Sequence, residues 1–589
     1  MDRRRFIQTT GAAGAAAMMA KGKARAAERT VTADLLIIGS GFAGMWAAIA
    51  AYDSGIRDIA IVDKASVGRS GMSRMCAGAT IYRFPHDDPK EWLRDVAEAN
   101  QFLSRQDLIA QILDTSFERY QKLNSWGVKY GRTPWGAARM PSRGFKKLKM
   151  SVGPSYKGQK GGAAVAAALL EQIASRKVKQ FSKTLITDLI QKDGRLAGAV
   201  GVNRLSGETV GFKARAVILA VADCSFRGNY ACVDQVTGDG FRLAYDAGVR
   251  LANMEFLCVN TASPKYGFEG TGVAARYGGH FLNKNLEPFM KDYYPEGDAV
   301  EVAYVVRAMA GEIEKGNGPP LYFDMSRGLM GLAGDRALSS IGGWVTLNLK
   351  RLKEEGENIF KSPQEWVAAI QTLRGGIRTD HNFMSDLPGL FAAGMSQSID
   401  PGLFNGWSTM RAMGSGELAG KAAARFLRDA GDVSLSADQV REAEERAVAA
   451  LGRSSGVNPE QVCSRLQELI APYQVCVKKS AETLKKTLAE VERLRDTEVP
   501  AMRARDPHEL GKSHEAANLT LCAELFLKSS LERKETRSDH CRTEYPEVDN
   551  KNWLKWINVK RGGAGRPETA FEDVPLSTYP IQPLKPEEA

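Results

Sequence analysis

Gly39-Ser40-Gly41-Phe42-Ala43-Gly44 is the stretch of this chain whose residue types and spacing imply a specific chemistry. The first glycine permits a tight turn, the second lets the backbone approach a pyrophosphate, and the third lets the following helix pack closely on the preceding strand. That helix, expected from about Phe42 to Tyr52, aims the positive end of its dipole at the same phosphates. Asp63 stands 19 residues beyond Gly44 and ends a second strand, the place where a bound dinucleotide presents a ribose hydroxyl. Phe42 and Ala43 between the glycines, and Lys64 beside the acid, complete the candidate cradle.

Such a cradle works only if strands and helices hold it. Leu35 to Gly39 is a continuous run of apolar or small residues, as a parallel strand buried on both faces requires, and Asp58–Asp63 and Arg215–Val221 read the same way. Strand, glycines, helix, strand and terminal acid in register place the chain in the α/β class with a Rossmann-like domain. Helical periodicity runs through 88–120 and 163–173, and Asp239 lies near the start of a helix opened by Thr237-Gly238. A mixed segment then interrupts the nucleotide fold, which resumes at Gly375–Asp380 and Leu387–Gly394. From Ser436 to about Glu532 the pattern is helical and charge-patterned, and the last fifty residues read as a polar, extended arm. His280 enters a predicted strand and reads as structural.

Composition limits the function classes. The 589 residues carry a formal charge of +11, but the first 26 hold six basic side chains and one acid; the remaining +6 or so does not argue for nucleic acid. The N-terminus orders Arg3-Arg4-Arg5, a small apolar run from Gly11 to Ala20, and Ala24-Arg25-Ala26, the three parts of a twin-arginine export signal; periplasmic localisation is expected. No stretch is long and apolar enough for a spanning helix, so a transmembrane protein is not expected. Arg143, Lys146, Lys147, Lys149, Lys157 and Lys160 read as a solvated hairpin in preference to a docking surface. Eight cysteines show no C-x-x-C, which excludes the usual cluster, haem and zinc-ribbon spacings and leaves isolated buried thiols and no metal site.

The landmarks together resemble the flavoprotein subunits of succinate dehydrogenase and fumarate reductase. They include the glycine motif, Arg69-Ser70-Gly71, ARAVILA, VTGDGFRLAYDAG, MEF at Met254–Phe256, GGHFLNKN, GGIRTD, LPGLFAAG and the closing pattern Arg533–Arg542. The resemblance implies bound FAD, held by the cradle together with Arg69, Ser70, Gly71, Ala220, Asp239, Gly394, Met395 and Thr409. It also implies an organisation: leader 1–26, FAD domain 30–253 and 369–430, inserted α+β cap 254–368, helical domain 436–535 and arm 536–589.

Departures from the family decide the expected chemistry. Gly71 replaces the histidine to which membrane-bound members attach FAD, so a non-covalent flavin is expected. Asn260, Ala275, Tyr277, Gln371, Asp400 and Phe404 stand at positions where dicarboxylate-reducing members keep substrate-binding and proton-transferring side chains, so fumarate chemistry is not expected. Met395 replaces an acid near the flavin ribityl chain. In these departures the chain is closer to the adenylylsulfate reductase α-subunit type. The register assigns Tyr277 as proton donor, Arg276 and Arg374 as anion-holding groups, and Asn260, Gln371, Asp400, Phe404 and Trp407 as the substrate wall. The expected activity is two-electron exchange between flavin N5 and a small unsaturated or aromatic, anionic organic substrate. The alternative is a flavin subunit of a complex acting on a sulfur oxyanion. Either way, with no second redox motif in the chain, a separate iron–sulfur or cytochrome partner is required.

Overall fold

A computed structural model describes residues 30–583, except 134–135, 143–144, 270–273, 340–342 and 403–405 and the side chains of 133, 136, 137, 276, 337 and 344. The expected export signal, Arg143, Phe404 and the Arg276 side chain thus lie outside the described residues.

The first strand is β1 (Thr30–Ile38), and the helix after the glycines is α1 (Phe42–Asp53). Then come β2 (Ile59–Asp63), β3 (Lys179–Ser182), β4 (Thr184–Lys192), β5 (Arg195–Asn203) and β6 (Thr209–Leu219). In space they order as β3-β2-β1-β6-β5-β4, and the later strand Leu390–Ala392 also pairs with β6. The strands around the glycine turn are parallel, with Ile38 beside Val62 on one side and Leu219 on the other. Successive residues of β1 face opposite ways: Leu35 and Ile37 join one core, Leu36 and Ile38 the other. This two-sided burial is why the strand reads as an unbroken apolar run.

The helix Trp407–Asp429 packs against α1 at backbone distance. A Cβ on its Gly416 would stand 2.3 Å from the Ala43 carbonyl oxygen, and one on Gly420 2.4 Å from that of Ala47. The helix keeps the glycine turn in place from behind.

The cap is a four-stranded antiparallel sheet in the order Leu257–Ala262, Gln364–Leu373, Leu321–Asp324, His280–Leu282. Phe281, Phe323 and Trp366 fill its own core. His280 enters the edge strand and its Nδ1 lies 2.9 Å from an Asp298 carboxylate oxygen, a structural pair. The expected boundary at 368/369 falls inside Gln364–Leu373, because the pairing with Leu257–Ala262, which carries one register shift at Cys258/Val259, runs along this strand on both sides of that point.

The region after Ser436 is helical through Ala437–Val448, Pro459–Ile470, Ala481–Arg493 and Pro507–Glu532. The last of these opens on the Asp506 side chain, which accepts from Glu509 N at 2.8 Å, and on a proline at its first turn. The expected extended arm is instead folded. Lys555–Arg561 and Pro567–Asp573 form a hairpin whose first strand pairs with Leu251–Ala252, and Trp556, Ile557 and Val559 are buried beneath it. Among the described residues no helix is long and apolar enough to cross a membrane.

Candidate active site between the glycine cradle and the cap

At the end of β1 the chain leaves no room for side chains. A Cβ on Gly39, whose φ is +98°, would stand 2.3 Å from the Ala220 carbonyl oxygen. One on Gly44 would stand 1.9 Å from the Gly39 carbonyl oxygen. Gly44 therefore packs α1 onto the turn, while Gly39, Gly41, Phe42 and Ala43 line a cavity of about 690 Å³. Asp63, Lys64, Ser70, Gly71 and Ala220 line it further, as do Asp239, Gly394, Met395 and Thr409. Arg69 does not: it is exposed, keeping its guanidinium hydrated outside the cavity wall.

Two polar networks fix the cradle. Asp63 accepts from the Ser40 amide at 2.9 Å, from the Ser40 hydroxyl, and from the Ala65 amide at 2.7 Å. Lys64 Nζ lies 2.8 Å from Asp239, 3.2 Å from Glu515 and 2.7 Å from the Thr237 hydroxyl, and Asn518 donates to Asp239 at 2.9 Å. Burial opposes charge on Lys64, but the Asp239 and Glu515 carboxylates outweigh it and hold the ammonium above its usual range. For Asp239 burial is likewise outweighed, here by Lys64, and its carboxyl is held below the usual range. Glu515 and Asn518 belong to the helix Pro507–Glu532, so the helical domain braces the cradle from outside.

On the cap side, Asn260, Gln371 and Tyr277 line the cavity, and the Asn260 amide donates to Gln371 Oε1 at 2.9 Å. Tyr277 is 41% exposed, at the mouth. Three assigned residues are not on the wall. Arg374, Asp400 and Trp407 are buried against one another: Arg374 and, at 3.3 Å, Arg411 hold the Asp400 carboxylate, and Trp407 Nε1 donates to it at 2.8 Å. A desolvated carboxylate is stable only with such partners, and the guanidinium so engaged is not free to hold an anion in the cavity. Met395 stands between, its sulfur 3.6 Å from Arg374 and its side of the loop on the wall.

Comparison with known proteins agrees with this geometry. The chain matches the FAD binding domain model over residues 34–406 and the fumarate reductase flavoprotein C-terminal model over 464–588. It belongs to the fumarate reductase/succinate dehydrogenase flavoprotein family. It is 28% identical to a component of the CoM/CoB fumarate reductase of Methanothermobacter marburgensis, over 90% of this chain and 97% of that one. It is 26% identical to the fumarate reductase flavoprotein subunit of Escherichia coli, over 94% and 95%. In fold it is similar to the FrdA chain of E. coli quinol fumarate reductase, with a TM-score of 0.84, 24% identity and coverage of 95% and 99%. Adenylylsulfate reductase of Archaeoglobus fulgidus gives 0.78 at 21% identity, over 93% and 97%. FAD is the cofactor, and Gly41, on the cavity wall without a side chain, leaves the close approach its pyrophosphate needs.

Within this flavoprotein cavity stand residues that sequence reasoning passed over. Asp223, Thr372, Tyr230, Glu269 and Cys76 all line it. Asp223 is buried, and the Thr372 hydroxyl donates to its Oδ2. Its only signal was position: an acid four residues past the end of β6, where open parallel sheets bind ligands. The thiols are not all isolated either. Cys76 is on the wall, and the buried Cys224 and Cys522 thiols are hydrogen-bonded to each other, brought from β6's end and the long helix by the fold.

Proposed function

We propose that this flavoprotein exchanges two electrons between its FAD and a small unsaturated organic molecule bearing at most one anionic group. The carrying observation is the charge of the wall. Lys64 is the single basic residue among the described lining residues and is already paired with two carboxylates, while Arg374 and Arg411 are committed to Asp400. Two carboxylates of a bound substrate need matching cations, and nothing described on this wall supplies them. FAD supplies the two-electron chemistry; the chain's own residues do the rest. The Asn260–Gln371 amide pair offers neutral donors and acceptors to orient a carbonyl or hydroxyl, and Tyr277 offers a phenol at the mouth. Arg276, beside Tyr277, is the position left for a single anionic end. A sulfur oxyanion meets the same shortage of cations, so the second reading rests on fold likeness alone.

Anaerobic reduction of the purified protein, followed by a screen for compounds that reoxidise its flavin, tests this reading. Neutral or monoanionic enoates, enones and aromatic acids should reoxidise it. Fumarate, driven by a reduced viologen, should not, because each missing electrostatic donor costs about 10²–10³ in rate. Brisk fumarate turnover overturns the reading. We further propose that electrons reach or leave the flavin through a separate iron–sulfur or cytochrome protein and that the enzyme works in the periplasm, supported by the twin-arginine leader and the absence of any C-x-x-C.

A further inference from the structure

We infer that Asp223, buried on the wall of the cavity, is the group that gives the substrate its proton or removes it; this rests on the functional reading above. Four observations converge on it. Asp223 and Thr372 both line the cavity, and the Thr372 hydroxyl donates to Asp223 Oδ2. The residue before it, Ala222, holds φ +67°, a left-handed conformation that costs a non-glycine about 1–2 kcal/mol. That turn is over-determined: the Ser396 hydroxyl accepts from Val221 N at 3.0 Å and donates to the Ala222 carbonyl at 2.9 Å. From the far side, Gly238 N donates to the Asp223 carbonyl at 2.9 Å, and Leu373 N to that of Cys224 at 2.7 Å. Strain maintained by so many bonds, at the cavity wall, marks a placed side chain.

The charges around Asp223 suit the task. Arg374 follows the strand Gln364–Leu373, Arg411 lies on the helix Trp407–Asp429, and Asp400 sits between them; the thiols of Cys224 and Cys258 face the same site. Burial pushes the Asp223 carboxyl up to about 7, with Thr372, Arg374 and Arg411 only partly offsetting it. An acid poised there changes protonation state near neutrality. In the reductive direction FAD would supply the hydride to one carbon of the double bond, and the Asp223 carboxyl passes its proton to the other, where the electron pair of that bond is left. The carboxylate that remains keeps the Thr372 hydrogen bond and is stabilised in part by the field of the two arginines, and solvent restores its proton. In the oxidative direction the same carboxylate accepts the proton.

Asp223→Asn keeps the shape and removes the titration. With a compound accepted in the reoxidation screen, turnover should fall about 10²–10⁴-fold with little change in KM, and the limb of the pH profile near 7 should vanish. Without any substrate, the wild-type flavin midpoint potential plotted against pH should change slope near 7, and that break should be missing in the variant. Thr372→Val, which removes a bond to the charged form, should move the break to higher pH. Stability gives a further readout of the same sign. An acid raised on folding binds more protons in the folded state, so the contribution of Asp223 to stability falls as pH rises from about 4 to 7, and the difference in stability between wild type and Asp223→Asn should follow that slope. An unchanged break and unchanged turnover in Asp223→Asn overturn the inference while leaving the functional reading intact. A flavin that no organic compound reoxidises overturns both.

Discussion

Asp400 shows how one charge is set by its neighbours. It lies fully buried between the guanidiniums of Arg374 and Arg411, with the Trp407 indole on its other oxygen. Burial of Arg411 lowers its hold on its proton to about 10, and Asp400 is the chief group opposing that. Asp400→Asn leaves two like charges in the interior, and breaking such a pair costs about 3–5 kcal/mol. Denaturant unfolding of the variant should show that loss with the same flavin content when folded; an unshifted midpoint contradicts the pairing. Gly71 raises a second point at this scale. It lines the cavity without a side chain, and the neighbouring Cys76 thiol is pushed up to about 11 by burial, which keeps it a poor nucleophile. Acid precipitation of the wild-type protein should therefore release all the flavin as FAD, and yellow chromophore retained on the pellet contradicts this.

Among the elements, the C-terminal hairpin departs most from its sequence-based expectation. Lys555–Arg561 alternates poorly, burying Trp556 and Ile557 in succession, and its partner Pro567–Asp573 is mostly exposed. Neither has the period that marks a strand, because the pairing edge is supplied by Leu251–Ala252, some three hundred residues earlier. Trp556 closes the arrangement, with its Nε1 donating to the Leu103 carbonyl at 2.7 Å. Trp556→Ala should cost about 3–5 kcal/mol, read as a lowered unfolding midpoint with the FAD spectrum of the folded fraction unchanged. By contrast β1, α1 and β2 were legible, since a parallel strand covered on both faces leaves a continuous apolar run and its glycines are fixed by contact. The cap side of the site was less so. Arg374 and Asp400 are 26 positions apart and read as two available charges, although the fold neutralises one with the other. Asp223 had no motif at all, and only the turn geometry after β6 exposes it.

At the scale of the molecule, the proposed export route asks for folding and loading before delivery. The cradle is braced by Glu515 and Asn518 of the helical domain, so a competent FAD site needs nearly the whole chain in place. A route that carries folded proteins suits such an enzyme. Replacing the leader's guanidiniums, as Arg3→Lys together with Arg4→Lys, should leave yellow, folded protein in the cytoplasm on fractionation, because ammonium groups do not reproduce paired guanidiniums. Normal export of that variant contradicts the periplasmic reading. The strand Gln364–Leu373 gives the molecule one more property. Trp366 near one end is packed in the cap core and Leu373 at the other in the FAD-domain core, seven residue steps or about 23 Å of extended chain apart, with one register shift between them. It is one strand shared by the two cores. A tilt of the cap that moved this strand would carry the Thr372 hydroxyl with it, so an opening of the pocket would also change the hydrogen bond on Asp223.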